Sequence, residues 1–218
     1  WWYNPDAEIY NFIGKDNIPF HTIIWQAELL GIDGIYNEAN PEQRLQLPYD
    51  VPANELMNIE GKQFSKSRNW AIWVPDILER YQPDAVRYYI AATFPETHDS
   101  DYAWDGFLNR VNGELLAAWG NLVNRMLSFA YKRFEGKVPD YAALTLEDIN
   151  ILNRVELGFG EVGTLIEQVK LREALQTAMG LVRGVTPAAL LVRRQVELEE
   201  GRWPESGAVI VGRMAETK

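Results

Sequence analysis

The chain has 218 residues, 47% of them hydrophobic, and carries 21 Lys and Arg against 31 Asp and Glu, a net charge of −10. The acidic balance argues against loose, field-driven binding of nucleic acid, which usually shows as a basic face. There is no cysteine, which excludes disulfides and thiolate metal sites and fits a reducing compartment. The apolar runs are too short to span a bilayer, and His21 and His98 are too far apart in sequence to indicate a histidine metal site.

Residues 1–45 predict a strand, a loop and a helix. Segment 9–13 has strand character and leads into Gly14-Lys15-Asp16-Asn17. Asp16 or Asn17 is the expected cap of the helix that follows. An apolar stripe on that helix is expected to face the core: Phe20, Ile23, Ile24, Leu29 and Leu30. Because a strand followed by a helix is half of a strand–helix–strand unit, we expect a parallel sheet. The aromatic start, residues 1–3, suggests that the chain begins inside a larger fold.

Residues 46–104 are mixed. Segment 45–59 predicts irregular strand pieces because two prolines interrupt it. A polar stretch follows, residues 60–69, which we name the cationic loop because it holds three cations and two serines between apolar segments. Helices are predicted over about 75–81 and 83–94, each with proline in its first turn. The residues expected to pack inward from the second of these helices are Ala85, Val86, Tyr89 and Ile90.

Residues 105–183 are predicted to be helical and to form part of a helix bundle. The first helix has a core stripe at spacings of three and four: Leu108, Val111, Leu115, Trp119, Leu122, Met126 and Phe129. A turn around residues 136–139 ends it. A second helical pattern runs from 146 to 183 and is weakened by three glycines in its middle. Beyond about residue 184 the periodicity is lost, and prolines and glycines are expected to break the helix.

The cationic loop is the strongest candidate site on residue types alone. A mobile Lys66 ammonium between Ser65 and Ser67 suits the charge that develops on a leaving pyrophosphate. A solvated surface loop fits these residues equally well. In the preceding segment, Gly14 would let a ligand approach the backbone and Asp16 could accept hydrogen bonds from ribose hydroxyls. On spacing alone, a plain strand-to-helix turn is the favoured interpretation there.

Two pairs of residues four apart share helix faces. His21 and Trp25 could wall a small apolar pocket, although an aromatic pair filling a core gap is favoured without further information. Asn121 and Arg125 border the apolar stripe, where amide and guanidinium groups could read base edges. An ordinary polar flank is favoured for them on the same ground. His98 lies in an acidic, turn-rich connector, residues 95–101, that we interpret as structural.

The order of these motifs resembles the methionyl-tRNA synthetase family of class I aminoacyl-tRNA synthetases over about residues 5–183. The resemblance rests on four segments in the same order and spacing: Asn11-Phe12-Ile13-Gly14-Lys15-Asp16-Asn17-Ile18-Pro19-Phe20-His21, Trp25, Phe64-Ser65-Lys66-Ser67 and Asn121-Leu122-Val123-Asn124-Arg125. It implies that methionine attacks ATP to give methionyl-adenylate and pyrophosphate. The methionyl group then passes to the terminal adenosine of methionine tRNA, initiator or elongator.

The resemblance also implies a fold class, α/β plus all-α. Residues 1–45 would be the second half of a Rossmann-like catalytic domain. Residues 46–104 would be a stem-contact segment carrying the Lys-Met-Ser-Lys-Ser-type loop. Residues 105–218 would be a helix-bundle anticodon-binding domain, atypical after about 184. A cytoplasmic location, no membrane association and no zinc site in this part of the protein are expected with it.

Residue roles follow by match to the family. Asn17, His21 and Trp25 would help form the methionine pocket. ATP, as its Mg²⁺ complex, would be held through its adenosine and phosphates by Gly14, Asp16, Lys62 and Lys66. Ser65 and Ser67 would act with Lys66 in the catalytic loop. Asn121 and Arg125 match the family's anticodon-reading pair.

The chain departs from the family in three ways. The family's N-terminal half, with its His-Ile-Gly-His motif, does not occur in the 218 residues, so we expect the chain alone not to form adenylate. Gln63 stands where the loop's first Lys is expected and Phe64 where Met is expected, and Lys62 can partly substitute. After about residue 184 the family's Asn-Arg-Tyr-Leu-like and Ala-Pro-Trp stretches are not recognisable, and Trp203 comes too late to replace that Trp.

Several alternatives stay open at this point. The divergent end has three explanations: a reading-frame shift near Val185, real divergence, or a disordered end. The whole chain has two alternative functions. It is a non-catalytic module that binds the tRNA anticodon, or it is one half of a split synthetase whose N-terminal half is a separate polypeptide.

Overall fold

A computed structural model describes residues 1–33, 35, 42–137 and 144–199, with side chains up to residue 186. These residues form two compact units. The first unit comprises Trp1–Phe107 together with Gln168–Arg172. The second comprises Leu108–Glu167 together with the described residues from Glu173 onwards.

The first unit contains two short pairs of parallel strands. β1 (Ile13–Gly14) pairs with β2 (Ala53–Asn54), and a bridge from Tyr10 to Asp50 extends the pairing backwards. β3 (Met57–Ile59) pairs with β4 (Ser100–Tyr102). The parallel arrangement is confirmed, but the strands are shorter than segments 9–13 and 45–59 predict. Pro52 has no N–H to donate, so β2 begins only after it.

The connection between β1 and β2 is helical almost from its start. A 3₁₀ turn covers Lys15–Asn17, a π-helical turn covers Phe20–Ile24, and α1 covers Trp25–Ile32. The predicted cap at Asp16 or Asn17 is wrong, because neither side chain caps a helix end and the residue at the N-cap position is Pro19. A capping residue normally has extended backbone dihedrals. Pro19 instead has helical ones, φ −60° and ψ −34°.

The predicted inward stripe of this helical segment is also wrong in most of its members. Leu29 is buried, whereas Phe20, Ile23 and Leu30 are more than half exposed. Ile24 is 46% exposed. Most of this predicted face is therefore open in the structure.

The remaining helices of the first unit surround an aromatic core. α2 (Val74–Leu78) and α3 (Pro83–Ala92) each have a proline in the first turn, as predicted. Val86 and Tyr89 are buried as expected, but Ile90 is exposed and Tyr88 is buried instead. Ring centroids of the aromatic residues lie 4.9–6.1 Å apart, in a cluster of Tyr81, Tyr89, Tyr102, Trp104 and Phe107. Burial in this cluster raises the pKa of Tyr102.

A long helical run leads into the second unit. α4 (Trp104–Arg110) continues as a π-helical stretch, Val111–Gly120, and then as α5 (Asn121–Phe134). The predicted turn begins with Glu135 at φ 52° and Gly136 at φ 76°, which ends α5; residues 138 and 139 lie outside the described residues.

The core stripe predicted along this run is wrong at three of its positions. Leu108, Trp119 and Met126 are 40–48% exposed, while Val111, Leu115, Leu122 and Phe129 are half-buried. Bonding from i to i+5 puts more residues in each turn than an α-helix has. A spacing of three and four residues therefore does not keep one face through the Val111–Gly120 stretch.

Two further helices complete the second unit. α6 (Leu146–Glu167) begins with a reciprocal cap in which Thr145 N–H donates to Asp148 at 2.9 Å and Asp148 N–H donates to the Thr145 hydroxyl at 3.2 Å. The Thr145 hydroxyl also donates to that carboxylate, and these bonds lower the pKa of Asp148. α6 ends before Val169, which has φ 59°, and not at the glycines where the sequence is weakest.

α7 (Leu171–Glu199) corrects the expectation for the end of the chain. The helix continues past residue 184 and through Pro187 to Glu199, so the predicted loss of helix is wrong for residues 185–199. Proline removes one backbone hydrogen bond from a helix interior without forbidding the helix on either side. Trp203 lies outside the described residues.

Candidate functional site

The turn at the end of β1 is open to solvent. A Cβ atom added at Gly14 would meet nothing within 4 Å, so free space faces the backbone there. Asp16 and Asn17 are exposed. Asp16 forms no ion pair with any residue that the structure describes. The carboxylate of Asp16 and the backbone of Gly14 are therefore accessible together to a ligand at the carboxyl end of a parallel strand.

Lys15 joins this turn to two other segments. Its ammonium donates to Glu55 and, at 3.3 Å, to Asp99 Oδ1, which also accepts the backbone N–H of Leu56 at 3.0 Å. The side-chain hydrogen bond to Glu55 raises the pKa of Lys15. The bond from Leu56, reinforced by Lys15, lowers the pKa of Asp99. The sequence gives no signal for this cluster, because its members are 40 and 84 residues from Lys15.

His21 and Trp25 lie on the helical segment that follows. Both are half-buried, and the Trp25 ring packs edge-on against Trp2 with centroids 6.1 Å apart. His21 Nδ1 is buried, and among the described residues it has no hydrogen-bond partner. A buried imidazole nitrogen without a partner is costly unless something else satisfies it.

The base of the cationic loop is a tight hairpin after β3. Ile59 and Lys62 exchange backbone hydrogen bonds of 2.8 and 3.0 Å around Glu60 and Gly61, whose φ values are 50° and 71°. Two positive φ values in succession are the signature of a type I′ turn. The turn is held from outside, because Gly61 N–H donates to Asp101 and the Glu60 carboxylate accepts the N–H of Trp104, each at 2.8 Å.

The tip of the loop is a second reversal. Ser65 and Trp70 exchange two backbone hydrogen bonds of 2.9 Å, which leaves residues 66–69 as the connecting loop. The hydroxyls of Ser65 and Ser67 lie 3.3 Å apart. Lys66 is exposed and forms no ion pair within the described part of the chain. The tip therefore presents two exposed cations, Lys66 and Arg68, beside two hydroxyl groups on a fixed base.

Lys62 and Lys66 have different surroundings, although both belong to this loop. The Lys62 ammonium lies 4.7 Å from the centroid of the Trp70 ring. The indole N–H of Trp70 donates to the carbonyl of Ile59 at 2.9 Å. Sequence reasoning missed Trp70, because the seven residues between it and Lys62 give no periodic signal.

Asn121 and Arg125 lie one turn apart on α5. Asn121 donates from its amide to the Ala117 carbonyl at 3.1 Å. Arg125 is half-buried, and its Nε is a buried donor with no partner among the described residues. The guanidinium therefore keeps a donor that none of the described residues satisfies.

The described residues show neither a metal-binding cluster nor a membrane-spanning helix. No group of three His, Cys, Asp or Glu side chains there is placed to hold a metal ion, and the absence of zinc stays a prediction. No helix in that part of the chain has both the length and the apolar character needed to cross a membrane.

Residues 1–127 match the family model described as tRNA synthetases class I (M). The chain belongs to the methionine type of class I tRNA synthetases. The matched residues include the turn after β1, the cationic loop, Asn121 and Arg125. The predicted family is therefore confirmed.

The similar curated proteins are methionine–tRNA ligases. That of Thermomicrobium roseum is 54% identical over 185 residues, which is 85% of this chain and 30% of the relative. Those of Roseiflexus sp. (strain RS-1) and Pyrococcus abyssi are 52% and 44% identical and cover 84% and 83% of this chain. The chain spans 30% and 25% of the length of these two relatives.

Solved structures of class I synthetases share the fold. The methionyl-tRNA synthetase of Mycobacterium tuberculosis bound by methionyl-adenylate aligns with a TM-score of 0.73 at 25% identity, over 94% of this chain and 37% of that one. A leucyl-tRNA synthetase of Agrobacterium radiobacter K84, in a ternary complex with tRNA, aligns at 0.59 and 15% identity, over 81% of this chain and 22% of that one, which shows the fold alone. The class I fold predicted for the chain is thus confirmed.

Proposed function

We propose that the chain supplies part of a methionine–tRNA ligase, an enzyme that activates methionine with ATP and transfers the methionyl group to methionine tRNA. One observation carries the proposal. Lys66 is an exposed cation without an ionic partner in the described structure, at the tip of a loop whose base is fixed by hydrogen bonds. Membership of the family supports the phosphates of ATP as the partner of that cation.

The chemistry proposed for the loop is electrostatic. In adenylate formation, negative charge grows on the departing pyrophosphate, and an ammonium that meets it stabilises the transition state more than the ground state. Ser65 and Ser67 add hydroxyl donors beside Lys66, and Lys62 adds positive charge at the base of the loop. ATP enters as its Mg²⁺ complex, so the metal arrives with the substrate.

The turn after β1 and the helical segment beyond it are proposed to hold adenosine and methionine. Gly14 leaves its backbone open to the nucleoside. The Asp16 carboxylate, which has no ionic partner in the part of the chain that the structure describes, accepts hydrogen bonds from ribose hydroxyls. Asn17, His21 and Trp25 help to form the methionine pocket. The unsatisfied Nδ1 of His21 supports this assignment, since a bound ligand or water would remove its cost.

The helical region from residue 105 is proposed to bind the anticodon, with Asn121 and Arg125 as the reading pair. The Arg125 Nε, which has no partner among the described residues, supports this role, because a base edge would supply an acceptor. In this proposal residues 1–45 are the second half of the catalytic domain and residues 46–104 the stem-contact segment. A cytoplasmic location is part of this proposal.

The test of this function is methionine-dependent exchange of pyrophosphate into ATP. The chain alone is expected to show no exchange, because it spans only 30% of the length of the Thermomicrobium roseum ligase. A chimera in which residues 1–185 replace the matched segment of the Thermomicrobium roseum ligase is expected to exchange. Exchange by the 218 residues alone would contradict the inactivity of the isolated chain, and an inert but folded chimera would contradict the proposed function.

A second function, a non-catalytic anticodon-binding module, is favoured by Arg125 alone. It requires the isolated chain to bind the methionine anticodon stem-loop without a partner. Arg125→Ala should then weaken binding, whereas Lys132→Ala on the same helix removes one charge as a control.

The third alternative, one half of a split synthetase, requires a separate polypeptide that binds the chain and restores pyrophosphate exchange.

A further inference from the structure

We propose that Lys62 is a positioning residue of the cationic loop, and that it leaves Lys66 as the cation that meets phosphate. Its ammonium lies on the face of the Trp70 ring, 4.7 Å from the centroid. The proposal rests on the proposed function insofar as it assigns phosphate to Lys66. The contact between Lys62 and Trp70 can be tested without that assignment.

Trp70 connects three parts of the loop. Its indole N–H donates to the carbonyl of Ile59, which is 8% exposed and belongs to β3. Its backbone exchanges two hydrogen bonds with Ser65. Its ring face carries the Lys62 ammonium. A side chain held at its N–H and at its backbone has little freedom, so its ring is a fixed surface for a cation.

Lys62 is held in the same way at its backbone. It closes the type I′ turn through two hydrogen bonds with Ile59, the residue that also accepts the indole N–H. Ile59, Lys62 and Trp70 therefore form a triangle in which each residue contacts the other two. This closed set joins the base hairpin to the Ser65–Trp70 pairing, and thereby fixes where residues 66–69 begin and end.

The two lysines are consequently different in kind. The Lys62 ammonium is attracted electrostatically to the face of an aromatic ring, as any cation would be. Lys66 has no ionic partner in the described residues and stands at the start of the tip. Gln63, between them, cannot supply charge. The loop thus has Lys62 for placement, whereas Lys66 and Arg68 stay exposed at the tip, and of these two Lys66 is the one assigned to phosphate.

Nuclear magnetic resonance of the 218-residue chain tests the contact directly. Protons above an aromatic face are shielded, so the Lys62 Hε protons should resonate upfield of those of Lys66. Lys62→Gln should lower the exchange protection of the Ser65 amide by about two- to fivefold, which matches an exposed cation–π contact. Lys62→Arg should restore protection, because guanidinium also stacks on an indole. If only the methylene groups of the Lys62 side chain mattered, Gln would replace them without this loss of protection.

A double-mutant cycle with Trp70→Phe separates placement from charge. If Lys62 acts through Trp70, Lys62→Gln should cost less protection in the Trp70→Phe background than in the original chain. Additive losses, or unshifted Lys62 Hε protons, would overturn the proposal.

Titration with inorganic pyrophosphate then tests the division of roles. Pyrophosphate should shift the Lys66 resonances, and Lys66→Gln should weaken its binding at least five times more than Lys62→Gln does. Equal weakening by the two variants would make Lys62 a phosphate ligand and overturn the proposal. A third outcome combines upfield Lys62 Hε protons and a non-additive cycle with no pyrophosphate-induced shift of the Lys66 resonances. It would support Lys62 as the residue that fixes the loop and would contradict the phosphate role of Lys66.

Discussion

Lys15 Nζ and Asp99 Oδ1 lie 3.3 Å apart although 84 residues separate them. The same ammonium donates to Glu55, so one lysine ties the end of β1 to the segment between β2 and β3 and to the connector before β4. The acidic connector 95–101 thus has a structural role in which Asp99 takes part. The cluster thus anchors Lys15, which lies between Gly14 and Asp16.

Replacing Lys15 by Met should lower the melting temperature of the chain. The change removes the cation and leaves Glu55 and Asp99 facing each other without it. The effect should be small, because all three side chains are about one third to one half exposed and water screens them. Lys66→Met is the matched control, since Lys66 has no ionic partner in the described structure, and it should leave the melting temperature unchanged. Equal shifts in the two variants would show that Lys15 contributes nothing specific.

The Asp99 contribution should depend on pH. The pKa of Asp99 is lowered in the folded chain, so its stabilisation is present above the ordinary aspartate pKa and is lost as pH falls through the lowered value. The stability difference between the original chain and Asp99→Asn should therefore shrink on acidification. Urea unfolding from neutral pH downwards measures it. A difference that stays constant to the lowest pH would mean that the ionised carboxylate has no preference for the folded state.

Gly158 and Gly160 should respond oppositely to Ala, although both lie inside α6. A Cβ at Gly158 would lie 2.3 Å from Leu181 Cδ1 and 3.1 Å from its Cγ, whereas a Cβ at Gly160 meets nothing within 4 Å. Overpacking costs about 1–3 kcal/mol. Ala in an exposed helix position gains about 0.5–1 kcal/mol over Gly. Gly160→Ala should raise the free energy of unfolding and Gly158→Ala should lower it, as measured by chemical denaturation. A Gly158→Ala variant as stable as Gly160→Ala would show that Leu181 moves aside freely.

Glu96 should stabilise the start of α7. Its carboxylate accepts the backbone N–H of Arg172 at 2.9 Å, in the first turn of that helix. Glu96→Ala leaves that N–H without its partner and should cost about 1 kcal/mol. Glu96→Gln keeps an acceptor and should recover part of the loss. If the Gln and Ala variants unfold at the same denaturant concentration as the original chain, the bond is not formed in solution.

Local signals predicted much of the fold. Prolines in the first turns of α2 and α3 mark their starts, because proline is preorganised for that position. The motif order predicted the family and, with it, the class I fold. The predicted roles of Gly14, Lys66 and Arg125 come from that resemblance, and they stay predictions until they are tested.

The features that sequence reasoning missed depend on distant partners or on unusual helical geometry. Lys15 meets Asp99, and Lys62 meets Trp70, only through the folded chain, and no spacing in the sequence encodes either pair. The π-helical stretch Val111–Gly120 changes the number of residues per turn, so an α-helical stripe misplaces Trp119. Pro187 looks like a helix stop when taken alone, but the residues on both sides of it continue α7.

The most direct test of the proposed chemistry is the rate of methionyl-adenylate formation in the chimera with the Thermomicrobium roseum ligase. Lys66→Met should lower the single-turnover rate constant by roughly 10²–10³, as expected for a lost electrostatic contact to the transition state. It should have little effect on the dissociation constant of methionine. Lys132→Met, the same change at an exposed lysine of α5, should leave the rate unaltered. A Lys66→Met chimera that forms adenylate as fast as the Lys132→Met chimera would contradict the account.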